Sequence, residues 1–427
     1  MYRSTCPTRP APSAHRRPGR STREPPLNAT PRPAQVPRTA VIIGGGIGGL
    51  ASAIALARSA WQVTVLEQAP VYWSAGAGII VTANGNRALQ DLGVARTVRR
   101  HAQALRFTGI RDLSGRQLLA PRAPGSLTWA VHRQALHAAL LDAAATHAEI
   151  RLGARVTGVD VGRRDGGSAR LSWVDVEGEH RSEADLIVGA EGARDSLTAS
   201  VRRGASSGPS GFAAWRAVIE DADLIGSAWT TWWGRGLEFS AIRIGPQTVS
   251  WHALFRTAPG QDSAHHILEN LSGWPNPAAQ RAAATPAAGM FRHDLPILDA
   301  TPTGFSRGRA VLVGDAAHPL LPTAHQGANL AVEDAVTLGR LLAPGVGLDQ
   351  GLRAYDRHRI PRVSRVDRLA RRLARLGVGC PEGLAQRVRD RALGGLPGRW
   401  LERSLASLPA WAGPPSTTDR IPRLLRA

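Results

Sequence analysis

"TAVIIGGGIGGLASAIALARSAWQVTVLEQAP", residues 39–70, decides how this chain folds. The apolar run Ala40–Ile43 reads as a buried strand, and residues 62–67, "QVTVLE", read as a second one. The small-residue stretch 48–60 between them reads as a helix. Together they form a strand–helix–strand unit of about 30 residues. Gly44, Gly46 and Gly49 fall at the strand-to-helix turn with the spacing G-x-G-x-x-G. The first allows the tight turn, the second lets backbone approach a pyrophosphate, and the third lets the helix pack close on the strand. A phosphate there faces the free N–H groups and positive end of the helix. Glu67 ends the second strand 18 residues beyond Gly49, where a carboxylate can bind a ribose 2′-hydroxyl. An acid at that point disfavours a 2′-phosphate, so NADP is not the ligand of this unit. NAD and FAD both fit it.

A second stretch separates those two. "RAVLV" (309–313) reads as another buried strand, and "GDAAHPLLPTAHQGANLAVEDA" (314–335) follows directly. A nicotinamide dinucleotide needs only one end held by this kind of unit. FAD is longer, and its ribityl hydroxyls need a partner. Asp315, at the mouth of the strand, is placed to accept their hydrogen bonds. Capping the next helix is the alternative use of such an acid. Pro322 and Gly327 shape the loop that leads into a helix from about Ala328. The positive end of that helix could stabilise negative charge on a reduced flavin.

The 427 residues suffice for two or three domains, and 43% are hydrophobic. No apolar run is long enough to span a bilayer. The net charge of +20 is uneven. Residues 1–38 hold eight Arg against one acid, and 352–427 hold seventeen Arg against six acids, so the body between them is nearly neutral. The chain contains no lysine. This distribution argues for solvated basic ends and against a nucleic-acid partner. Cys6 and Cys380 form no metal or redox motif, and a reducing cytoplasm fits them. Residues 1–38 are rich in Pro, Arg, Ser and Thr and read as a disordered extension or an early start codon.

Residues 132–147 read as a helix and 183–192 as a strand running into a turn. From 212 the texture changes to short, aromatic, partly alternating runs: "FAAWRAVIE", "SAWTTWWG", "LEFSAIRIG" and "QTVSWHALFR". These predict an antiparallel sheet. It holds six of the twelve Trp residues (215, 229, 232, 233, 251 and 274), which suggests an aromatic-lined cavity for a planar ligand. Residues 352–376 read as a basic amphipathic helix with Leu352, Tyr355, Val363, Val366, Leu369, Leu373 and Leu376 near one face. The expected architecture is α/β. A Rossmann-like FAD-binding domain (39–205 and 299–351) is interrupted by an antiparallel β-sheet substrate domain (206–298), after a tail of residues 1–38 and before C-terminal helices (352–427).

"VIIGGGIGGL…VTVLEQ", "VHRQAL", "ADLIVGAEGAR" and "GRAVLVGDAAHPLLPTAHQGANLAVEDA" together resemble the single-component FAD-dependent aromatic hydroxylases. This is the para-hydroxybenzoate hydroxylase group, with a closer likeness to its salicylate-hydroxylase-like and zeaxanthin-epoxidase-like branch. "SGFAAWRAVI" and "YDRHRIPR" extend the likeness over roughly residues 39–376. The resemblance implies that Glu67 holds the adenosine ribose, Arg133 contacts the ribose–phosphate region and Val156 lies near the adenine. It also implies that Gly78 lines the dinucleotide cleft, that Asp315 binds the ribityl chain, and that Gly327 and Ala328 present backbone to the flavin ring. In that family NADH or NADPH reduces the flavin, and O2 then gives a flavin hydroperoxide that hydroxylates or epoxidises the substrate.

Departures from the family pattern fall at Glu191, Asp195 and Thr198, which replace residues associated with pyrophosphate and reductant handling. His325 stands where the loop usually has Gly. On the substrate side Arg216 could pair with a carboxylate or phenolate, or be a structural ion-pair partner. His252 could be a base that activates a phenol, or a solvated sheet-face residue. Asp299 could reach the pocket or merely close a turn. The reading is an FAD-dependent monooxygenase, a monomer or homodimer, with FAD bound non-covalently and no metal. Its rivals are a non-oxygenating flavin dehydrogenase or oxidase of the same fold, and a non-catalytic dinucleotide-binding protein.

Overall fold

The apolar runs on either side of the first glycines pair as the sequence predicts. Arg38–Ile43 lies parallel to Trp61–Glu67, and the helix Ile47–Ala57 connects them. They belong to a six-stranded sheet in the order Ser306–Arg307, Ala310–Leu312, Leu186–Gly189, Arg38–Ile43, Trp61–Glu67, Glu149–Leu152. Every pairing is parallel except the outermost one, between Ser306–Arg307 and Ala310–Leu312. Leu186, Ile187 and Val188 are fully enclosed, as the continuous apolar runs of a parallel sheet require. The strand from "RAVLV" therefore lies two places from the glycine turn, which brings Gly314–Asp315 beside it.

The structure is a computed structural model that describes residues 37–72, 77–120, 128–164, 166–193, 196–221, 228–234, 236–257, 263–393 and 396–415. These residues all lie in one unit, Pro37–Ala427. The expected tail lies outside the described residues as far as Val36, but Arg38 is not part of it. Arg38 opens the first strand, donates to the carbonyls of Leu342, Ala343 and Val346, and stacks 4.2 Å over the Trp61 ring.

The second layer is a nine-stranded sheet. Its main path runs Met290–Leu298, Ser207–Glu220, Thr248–Arg256, Leu237–Arg243, Ala228–Gly234, Ala102–Asp112, Thr128–His132, Gly78–Val81, with Gln117–Leu119 paired beside Ala102–Asp112. The aromatic runs of 212–256 form its centre, antiparallel as expected. The sheet is broader than residues 206–298, however. Strands before residue 133 complete it, and Ala102–Asp112 joins Ala228–Gly234 in parallel. That pairing covers what would be an open edge in a sheet made from 206–298 alone.

Alternation along these strands sorts their side chains into two faces. One face packs Ala213, Ala217, Phe239, Trp251 and Phe255 against Ile267, Leu271 and Trp274 from below, a second core with Trp215 and Trp232 at its margin. Trp215, Trp232, Trp251 and Trp274 therefore pack this core, so most of the cluster is core and not an aromatic wall for a planar ligand, although Trp251 also borders a cavity. The opposite face carries a cross-strand row, Arg216–His252–Ser240–Thr231.

The long helix Leu348–Leu376 buries Leu352, Tyr355, Val363, Val366, Leu369 and Leu373, with Leu376 partly buried. The same helix sends two arginines inward. Arg359 donates to Asp334 Oδ1 at 2.6 Å and to Glu333 Oε2 at 2.8 Å, and Arg362 donates to both Glu333 oxygens. Glu333 and Asp334 have no solvent exposure. Burial pushes the Asp334 carboxyl up, but His318 and Arg359 beside it hold it below its ordinary value. Removing one partner strands a buried charge. Arg359→Leu should therefore cost about 3–5 kcal/mol of stability, while the exposed neighbour change Arg357→Ala stays within about 0.5 kcal/mol. Urea unfolding of the two variants beside the parent protein checks this.

Candidate active site

A cavity of about 870 Å3 opens between the C-terminal ends of the parallel strands and the polar face of the broad sheet. The glycine turn forms one end. Gly44 has φ +101°, and a side chain on it would meet the Ala190 carbonyl at 2.6 Å. A Cβ on Gly49 would lie 1.9 Å from the Gly44 carbonyl oxygen, so helix and strand approach as closely as backbone permits. At Gly46 nothing lies within 4 Å of an added Cβ. The helix starting at Ile47 has no side-chain cap and no acid in its first turn. Its N–H groups face open space, the condition for receiving phosphate. Glu67 is held in place by the backbone, Oε2 accepting the Gly45 N–H at 2.7 Å and Oε1 the Ala69 N–H at 2.9 Å. Gly78, Arg133 and Val156 line the same cleft.

Gly314–Ala316 forms a short 3-10 turn at the end of the strand Ala310–Leu312. Asp315 is exposed and lines the cavity. Among the described residues its carboxylate takes no hydrogen bond. Neither the turn Gly314–Ala316 nor the helix Gly327–Leu341 has a side-chain cap, so Asp315 is not a capping residue. Pro322, Gly327 and Ala328 also line the cavity, and the uncapped N-terminus at Gly327 is the second helix end directed at it.

Arg216 and His252 reach the cavity from the broad sheet, and His325 from the loop opposite. The Nε of Arg216 is buried without a hydrogen-bond partner among the described residues. Burial, and then the Arg133 charge, bring its guanidinium down to about 10, against the pull of Asp315. Asp299 is not part of this site. It accepts the Ser206 N–H at 2.8 Å, at the end of the antiparallel pair formed by Ser207–Glu220 and Met290–Leu298. Glu191 lines the cavity, with Thr198 donating to it at 3.4 Å. Asp195 lies outside the described residues.

The residues that fix this geometry extend beyond those the motifs single out. Asp334 Oδ2 accepts the Gly314 N–H at 2.9 Å and contacts His318 Nε2 at 2.6 Å. Asn84 donates to Glu333 at 2.7 Å and to Gln326 at 2.9 Å. Asn329 donates to the carbonyls of Ile80 and His325. Acids inside the apolar helix run "NLAVEDAV" were the signal for this network. An acid in the apolar strand "LEFSAI", Glu238, was a second such signal; it is 2% exposed.

The family model described as "FAD binding domain" matches residues 38–370. The chain belongs to this FAD-binding family. It is 32% identical to the aurachin C monooxygenase/isomerase of Stigmatella aurantiaca over 76% of this chain and 86% of that protein. It is 30% identical to the salicylate hydroxylase of Pseudomonas putida over 76% of this chain and 82% of that one. Klebsiella pneumoniae HpxO complexed with FAD and uric acid shares the fold at a TM-score of 0.73 and 24% identity, covering 87% of this chain and 96% of that chain. The protein is an FAD-dependent monooxygenase that uses NAD(P)H and O2. Among its described residues no helix is long and apolar enough to cross a membrane.

Its cleft fits FAD on the chain's own chemistry. Two uncapped helix ends, an open space at Gly46, a pre-oriented Glu67 and an unengaged Asp315 lie along one cavity. Losing the Asp315 carboxylate should leave ribityl hydroxyls unpaired. Asp315→Ala is expected to weaken FAD about tenfold to a hundredfold, the effect of a hydrogen bond to a charged group. Apo stability should hold, because Asp315 caps no helix. Titrating apo-protein with FAD beside thermal unfolding tests both halves.

The loop of this monooxygenase carries a local cost. His325 takes the left-handed conformation, φ 50° and ψ 34°, where the family usually has Gly. Its imidazole meets Trp229 edge-on at 4.7 Å. Burial, then His252 and Arg216, hold the His325 imidazole well below its ordinary value. As pH falls through about 6.5 the unfolded chain takes up this proton first, so the folded state loses stability below that point. His325→Gln should reduce the fall in apo melting temperature between about pH 7.5 and pH 5.5, as differential scanning fluorimetry can measure.

Proposed function

We propose that this monooxygenase acts on a hydroxylated aromatic or fused heteroaromatic compound that carries negative charge. The observation that carries the reading is Arg216. It is a cation on the cavity face, it has an unpaired Nε, and His252 and Ser240 stand beside it in one cross-strand row. A guanidinium with free donors is suited to a carboxylate or phenolate. The alternative role, a structural ion-pair partner, has no support among the described residues. Relatives named for salicylate, 3-hydroxybenzoate and urate act on acidic rings.

In this reading Gly44, Gly46 and Gly49 with the helix at Ile47 receive the pyrophosphate. Glu67 holds the adenosine ribose, with Arg133 and Val156 alongside. Asp315 accepts from the ribityl chain, and Gly78, Pro322, Gly327 and Ala328 border the ring. FAD supplies the two-electron reduction by NAD(P)H and the activation of O2. Arg216 orients the substrate, and the sheet face and loop exclude water around it. Residues 39–205 and 299–351 carry the cofactor. Residues 206–298 carry the substrate, with the added strands of 78–132 bridging the two. The free Cys380 fits an enzyme of the reducing cytoplasm.

Screening aromatic compounds for stimulated NAD(P)H oxidation under isotopically labelled O2 tests the reading. One oxygen atom of the label should enter the product. Oxidation with no incorporation would identify a dehydrogenase or oxidase instead. With an anionic substrate in hand, Arg216→Met should raise KM at least about tenfold, and it should have little effect with a neutral analogue.

A further inference from the structure

The polar face of the broad sheet buries an acid that the cofactor does not use. Glu238 pairs across strands with Trp233, and the Trp233 indole N–H donates to its Oε2 at 2.8 Å. Among the described residues its other oxygen, Oε1, is buried without a hydrogen bond and lies 3.7 Å from His252 Nε2, which is likewise buried and without a hydrogen-bond partner. Alternation explains the meeting. Ser240 is the cross-strand partner of His252, and Glu238 is two residues along the same face. The His252 side chain is 16% exposed and lines the cavity, so it stands between the carboxylate and the substrate space.

An unpaired carboxylate oxygen and an unpaired imidazole nitrogen, buried and facing each other, are a costly arrangement. A proton arriving on His252 relieves it, because Glu238 then faces an imidazolium. We propose that Glu238 and His252 form the proton-accepting pair for the substrate's ring hydroxyl, with His252 as the base and Glu238 as its positioning residue. This rests on the reading above, that a hydroxylated ring occupies the cavity. The carboxylate at Nε2 selects the tautomer protonated there, and the Nδ1 lone pair is left for substrate. The substrate O–H bond breaks as an N–H bond forms at His252. The ring oxygen keeps the electron pair, and no electrons change hands. The anionic ring that results is more electron-rich and so more readily attacked by an electrophilic oxygen. Arg216, next to His252 in the row, balances its charge. His325, with its ring centroid 5.7 Å from that of His252, is held neutral by burial and does not compete for the proton.

The test uses the FAD-loaded protein and 4-hydroxy-3-nitrobenzoate, a probe with a carboxylate for Arg216 and a phenol whose ionisation is visible by absorbance. Perturbation of the flavin spectrum reports binding, and the nitrophenolate band reports the proton. In the parent protein the bound phenol should ionise about one pH unit below the free probe, a tenfold shift. In Glu238→Gln and in His252→Gln the probe should still bind, flavin content should be unchanged, and the shift should vanish. A shift equal in the parent and both variants would overturn the pair while leaving the substrate reading intact. A probe that leaves the flavin spectrum of the parent unchanged would overturn the substrate reading, and the pair with it.

Discussion

Asp334 holds the cofactor loop from behind. One of its oxygens takes the Gly314 N–H and the His318 imidazole, and the other takes Arg359. Gly314 precedes the acid that faces the cavity, and Arg359 comes from the helix that closes the chain's core. Glu333 beside it ties Arg359 and Arg362 to Asn84, and Asn84 passes the constraint to Gln326 at the start of the loop helix. These two buried carboxylates need a strong donor on every oxygen, because removing one leaves an uncompensated charge. This requirement couples the strand end, the loop, the loop helix and the long C-terminal helix. None of these can shift without exposing a charge to an apolar interior.

That coupling makes sense of a site whose halves come from distant chain segments. The cofactor end needs bare backbone, and it receives two uncapped helix N-termini, one at Ile47 by the glycine turn and one at Gly327 by the loop. The end proposed for substrate needs fixed side chains, and it receives a row projecting from one face of a sheet. A sheet face is a good mount for such groups because cross-strand neighbours stand at set spacing. The opposite face of the same strands packs an apolar core with Trp251 and Trp274, so the polar row cannot rotate out of register without burying charge. His325 completes the enclosure at a backbone angle that costs energy for any residue with a Cβ. Asn329 and Trp229, which contact it, oppose that strain.

Much of the cofactor end was legible in the sequence because its determinants are local. The glycine spacing, the acid at the end of the second strand and the acid after "RAVLV" each act through a few neighbouring residues. The strands around them were readable from continuous apolar runs. The proposed substrate end was partly legible: Arg216 and His252 are polar residues in aromatic strands. Asp299 is similarly placed in the sequence but ends a strand pair away from the cavity, hydrogen-bonded to Ser206, since the sequence does not say which way a strand end faces. Glu238 was not legible as a site residue because His252, whose Nε2 lies 3.7 Å from it on the neighbouring strand, is fourteen residues away in sequence.

The sequence by itself determined the strand–helix–strand unit, the antiparallel character of the aromatic runs and the residues able to hold a dinucleotide. Short-range geometry and hydrophobic periodicity are sufficient for those. Only the tertiary structure decided that strands before residue 133 widen the second sheet, that four of the six Trp residues pack a core behind it, and that Glu238 lies behind His252. These outcomes depend on strand register and on which edges must be covered, and both are settled by burial summed over the whole chain.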